Sequence, residues 1–145
     1  MSERQPVLSA LEVAEFLDQV FPQVRGEFEI EEIAPMRARV RLLVTENHLR
    51  PGGTISGPAM FSLADCSFYV ATLAMIGRQA LTVTTNLSIN FMRKPTPVDM
   101  VCEARILKLG RSLAVGDTTL YSIDQPAPVA HATVTYAIPP ERSAS

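Results

Sequence analysis

The sequence predicts an α+β fold, a curved antiparallel sheet wrapped around one long apolar helix. Three observations carry this. Residues 58–76, PAMFSLADCSFYVATLAMI, form a 19-residue stretch that is apolar or small except at Asp65. The segments around it alternate apolar and polar residues with the period of two that a half-buried strand requires. The order is helix, two strands, the long helix, then four strands, and two consecutive hairpins after a central helix imply an antiparallel sheet. A helix that is apolar all round needs burial on all sides. A strongly curved sheet supplies that burial and satisfies every alternating stripe.

The first element is a short amphipathic helix over 9–21. Ser9 and Glu12 form a capping box, with Leu8 and Val13 at the hydrophobic-staple positions around it. Val13, Leu17 and Val20 share one face, and Pro22 stops the helix. Residues 27–44 read as a hairpin turning at Ala34-Pro35. Phe28 and Ile30 alternate with glutamates, and Met36, Ala38, Val40, Leu42 and Val44 alternate with Arg37, Arg39 and Arg41. Residues 45–55 are a loop rich in turn formers. Ser56 is placed to cap the long helix, Pro58 falls in its first turn, and Gly77 ends it.

The third strand is LTVTTNLSINFM. Strict alternation puts Val83, Thr85, Leu87, Ile89 and Phe91 on one face and Thr84, Asn86, Ser88 and Asn90 on the other. Pro95 and Pro97 close it. Strands over 98–108, 113–122 and 129–138 follow, with a turn at Gly110-Arg111-Ser112. The expected organisation is one domain over 1–145, with a core at about 25–138 and a flexible tail at 139–145.

A net charge of −2 and a pI near 5.7 argue against a general nucleic-acid surface, which needs a basic excess. Cys66 and Cys102 fit neither a disulfide framework nor a CxxC metal site. His48 and His131 have no partner spacing that suggests a metal or a triad, so no metal is expected. The first residues lack a continuous apolar run of the signal-peptide kind, and the expected location is cytoplasmic. Asp65 near the centre of the apolar segment and Gly57-Pro58 at its start argue against a membrane span.

Asp65 is the only charged residue between Arg50 and Arg78. An unpaired carboxylate in such a segment is costly, so Asp65 is the first candidate for chemistry. The helix start over Ser56, Gly57 and Pro58 is the second. A helix N-terminus offers free N–H groups to a developing oxyanion, and Gly57 lacks a Cβ that would hold a substrate carbonyl away. A base to deliver water and a donor for the oxyanion suffice to hydrolyse an activated acyl group. Nine residues of helix separate the two groups by roughly 13 Å. One chain therefore cannot easily bring both to one carbonyl, whereas two antiparallel helices across a dimer axis could.

The element order and the residues around Asp65 resemble the hotdog fold, and more closely the PaaI-type acyl-CoA thioesterases. The segment GGTISGPAMFSLAD is similar to that family's HGG-x-x-x-x-x-L-x-D pattern. TVTTNLSINFMRKPTP and LGRSLAV are similar to later family elements. The resemblance implies hydrolysis of a small or medium acyl-CoA thioester. Asp65 then acts as base or nucleophile, the Gly57 N–H polarises the carbonyl, and Thr84 orients the water. It implies an obligatory homodimer, paired further into a homotetramer, with the site shared between subunits and no cofactor beyond the coenzyme A of the substrate.

Ser56 stands where the family has its histidine, although Ser56 reads most simply as an N-cap. Arg50 stands where many members have an asparagine, and Asn47 lies three residues further upstream. Both are candidates to hold the substrate. Arg93, Lys94, Arg111 and Ser112 are candidates to meet the phosphates of coenzyme A at the entrance. Two alternatives stay open: a non-catalytic acyl-CoA or acyl-carrier binding module, and a hotdog enoyl-CoA hydratase. The hydratase pairs its aspartate with a histidine five residues later, where this chain has Val70.

Overall fold

In the computed structural model, which describes residues 4–140, six antiparallel strands form one sheet curled around a central helix. This is the α+β hotdog architecture. Residues 141–145 of the expected tail lie outside the described residues.

Helix α1 spans Ala10–Val20. The Ser9 hydroxyl accepts the Glu12 N–H at 3.1 Å, and the Glu12 carboxylate accepts the Ser9 N–H at 2.9 Å. The hydrogen bond from the Ser9 backbone holds the Glu12 carboxyl below its ordinary pKa. The buried face differs from the expected one. It is Val13, Phe16 and Leu17, while Val20 is 38% exposed. A stripe at i, i+3 and i+4 needs Phe16, and Val20, at the last helical position, instead lines a cleft beside Asp65.

Strands β1 (Phe28–Ala34) and β2 (Arg37–Leu42) pair as the expected hairpin. Ala38, Val40 and Leu42 turn inward, as the alternation requires. Helix α2 spans Gly57–Ile76, capped by Ser56 and ended by Gly77, whose φ of 98° is one that L side chains rarely adopt. By length and composition α2 could cross a membrane, with a mean hydropathy of 1.6, yet 78% of that window is buried within the fold. The curved sheet supplies the apolar surroundings.

Strands β3 (Val83–Phe91), β4 (Met100–Leu109), β5 (Leu113–Ser122) and β6 (Ala130–Ala137) complete a sheet of order β1-β2-β4-β5-β6-β3. The pairing is not a simple succession of hairpins. Strands β4, β5 and β6 form a meander, but β3 pairs with β6 and β4 pairs with β2. The Pro95 and Pro97 segment ends the β3 ladder and carries the chain to the other half of the sheet.

The β3 faces also differ from strict alternation. A bulge between Thr84 and Asn86 shifts the register. Thr84, Leu87 and Ile89 stand opposite Tyr136, Val134 and Ala132, all three of them buried. The extra residue turns Thr84 toward α2 and leaves Val83 53% exposed. Gly116 on β5 sits where the sheet leaves no room for a side chain. A Cβ there would collide with the Arg105 carbonyl and reach the Phe68 ring at 2.6 Å.

Candidate functional site

Asp65 leaves the middle of α2 between the buried Ala64 and Cys66 and is itself half-buried. It borders a cleft of about 350 Å³ whose walls include Val20, Phe21, Tyr69, Val83, Thr84 and Tyr136. It is not the unpaired carboxylate the sequence suggests. Thr84 donates its hydroxyl to Asp65 Oδ1 at 2.6 Å, and the Tyr136 phenol donates to the same oxygen at 2.6 Å. The phenol also lies 2.9 Å from the Asp65 carbonyl oxygen. Among the described residues none donates to Oδ2. One carboxylate oxygen is therefore anchored, and the other is left for a water or a substrate.

Local structure explains each position. The bulge turns Thr84 inward, and the β3–β6 register places it directly opposite Tyr136. The Tyr136 ring lies against Phe68 at 5.5 Å and stacks on Tyr69 at 5.9 Å. Burial, and next the charge of Asp65, push the Tyr136 phenol well above its ordinary pKa, so it stays protonated as a donor. The sequence reading missed Tyr136. The available signal was a phenol at an inward position of β6, after Ala130, Ala132 and Val134, where a buried hydroxyl needs a partner.

A second cleft, of about 640 Å³, gathers five of the sequence candidates: Arg50, Ser56, Gly57, Arg93 and Lys94. Ser56 caps α2, its hydroxyl accepting the Ala59 N–H at 3.2 Å. Its carbonyl takes the Met60 N–H at 3.1 Å, and Pro58 has no N–H. Gly57 thus keeps the one unused donor of the first turn. A Cβ on Gly57 would touch the Phe91 ring at 3.5 Å, an ordinary contact. Arg93 is partly committed, donating to the Pro128 carbonyl at 3.0 Å.

The loop before the helix is held by a pair the sequence did not reveal. Buried His48 lies 3.1 Å from the Glu27 carboxylate through Nε2 and accepts the Thr45 N–H at 2.9 Å through Nδ1. Its carbonyl accepts the Ser56 N–H at 2.8 Å. His48 therefore ties the start of α2 to the start of β1.

Three candidates line neither cleft. Asn47 is exposed on the short helical turn Glu46–His48. Arg111 and Ser112 are exposed in the turn between β4 and β5. Val70, where a hydratase reading needs a histidine, is fully buried in the core. Cys66 and Cys102 are free thiols, each pushed up to about 12 by burial first. Among the described residues no group of three or more His, Cys, Asp or Glu is placed to hold a metal ion. Asp65 and Gly57 line different clefts, as their separation along α2 requires.

Comparison with known proteins agrees with this architecture. Residues 52–136 match the profile of the thioesterase superfamily, a span that includes α2, β3, β4 and β5 and all of β6 but its last residue. A crystal structure of a candidate thioesterase from Silicibacter sp. TM1040 is 52% identical, with a TM-score of 0.89 over 96% of this chain and 97% of that one. A candidate esterase of Saccharolobus solfataricus is 32% identical over 120 residues, covering 80% of this chain and 77% of the relative. The E. coli PaaI protein of the phenylacetic acid degradation operon has a TM-score of 0.77 over 90% of this chain and 93% of its own. At 20% identity, that last likeness is one of fold.

Proposed function

This chain belongs to the thioesterase superfamily and is a thioester hydrolase; from that premise we propose that it hydrolyses acyl-CoA thioesters in a site shared by two subunits. Asp65 of one subunit delivers the water, and Gly57 of the other receives the oxyanion. The observation that carries this reading is the half-occupied carboxylate. Asp65 lines a cleft, its Oδ1 is held by two donors, and among the described residues none donates to Oδ2.

In this reading Oδ2 takes a proton from water as the water oxygen attacks the thioester carbonyl carbon. The negative charge that develops on the carbonyl oxygen meets the unused Gly57 N–H at the positive end of a helix. Collapse of the tetrahedral intermediate breaks the C–S bond. The thiolate leaves and takes up the proton, giving free coenzyme A and the carboxylic acid. Arg50, Lys94 and Arg93 around the Gly57 cleft supply positive charge for the phosphates of coenzyme A. Attack by Oδ2 itself would give a mixed anhydride. Labelled water oxygen found in Asp65 after a single turnover would identify the anhydride route, with water attacking the Asp65 carboxyl carbon.

The shared site follows from distance along α2. It is supported by β3, an edge strand with one side of its ladder unpaired. That edge exposes Val83, Phe91 and the following Met92, and Phe61 of α2 is exposed as well. The test is a panel of acyl-CoA esters offered to wild type and Asp65→Asn. The expected result is a loss of about 10²–10⁴-fold in kcat for the variant. Equal rates would remove Asp65 from the mechanism.

A further inference from the structure

We propose that Tyr136 is a positioning residue for hydrolysis, holding the Asp65 carboxylate so that only Oδ2 reaches the reacting water; this rests on Asp65 being the base. Tyr136 touches both ends of the Asp65 residue. Its phenol donates to Oδ1 at 2.6 Å and lies 2.9 Å from the backbone carbonyl. A carboxylate held by one contact can rotate about its Cβ–Cγ bond and exchange its two oxygens. With Thr84 donating to the same oxygen at 2.6 Å, that exchange breaks two hydrogen bonds at once.

The phenol is itself fixed. Tyr136 is 3% exposed, its ring is packed on Phe68 and Tyr69, and its backbone is paired on both sides, with Thr84 of β3 and Ala114 of β5. The clamp is built on the rigid part of the sheet, where a reacting group is held most closely to its working geometry. The Asp65–Tyr136 contact joins the central helix to the last strand. The base is therefore aimed by a residue 71 positions later in the chain. Thr84 and Tyr136 both border the cleft, but Thr84 belongs to the edge strand β3, whereas Tyr136 belongs to an interior strand.

A double-mutant cycle between Tyr136→Phe and Asp65→Asn tests this. The Phe ring keeps the aromatic stack, and each variant is assayed well below its own thermal midpoint. In the wild-type background Tyr136→Phe is expected to lower kcat about 10- to 100-fold with KM changed less than about twofold, because a small misplacement of the base costs rate rather than binding. In the Asp65→Asn background it is expected to have no further effect. Thr84→Val, run beside it, should show the same dependence on Asp65. An equal loss from Tyr136→Phe in both backgrounds, or a loss confined to KM, would show a structural or binding role and overturn the proposal. Wild-type activity in Asp65→Asn alone would instead overturn the reading of Asp65 as base.

Discussion

A carboxylate inside an apolar helix costs stability unless donors meet it. Asp65 meets two, on a single oxygen. This asymmetry separates it from a purely structural carboxylate, which would have both oxygens satisfied. Its neighbour Cys66 shows the opposite case. Burial, and next the Asp65 charge, push that thiol up to about 12, and burial does the same for Cys102. Both thiols should therefore stay unmodified when the native protein meets iodoacetamide at about pH 8, and both should react after denaturation. Mass spectrometry checks this, and labelling of Cys66 in the native protein would contradict its burial. Asp65 was legible in the sequence because a lone charge in an apolar run has few explanations. Tyr136 was not, because a tyrosine in a strand reads equally well as a half-exposed aromatic, and its partner is 71 residues away.

At the scale of elements, one extra residue in β3 turns Thr84 from the outer face to the inner one. Without the bulge, the register set by Asn86 opposite Thr135 would put Thr85 rather than Thr84 opposite Tyr136. Alternation alone could not find this. The run VTTN is equally suited to a strand in either register, and the choice is made by β6 across the ladder. The bounds of α2 were legible because Ser56, Pro58 and Gly77 are local signals, each acting through its own backbone. Gly116 belongs to this scale too, since it lets β5 lie directly on α2 at Phe68. Gly116→Ala should cost about 1–3 kcal/mol, seen as a fall in Tm of roughly 3–10 °C. An unchanged Tm in a thermal melt would mean that β5 gives way there both from the Arg105 carbonyl of β4 and from Phe68 of α2.

At the scale of the whole molecule, the composition of the layers was legible and the order of the strands was not. An apolar helix plus alternating strands dictates what must be buried. It does not dictate that β3 crosses to β6, because the stripe on β3 would be satisfied by any neighbour on the same concave face. The fold leaves Asp65 and Gly57 in separate clefts on one chain. The proposed chemistry therefore needs a second copy, and the most direct measurement is subunit complementation. Asp65→Asn lacks the base, and Gly57→Pro lacks the N–H donor. Each alone should be inactive. After equal amounts are mixed and allowed to exchange subunits, half of the dimers are hybrids with one intact site of two, so activity should return to about a quarter of the wild-type value. A mixture no more active than its two parents would contradict the shared site.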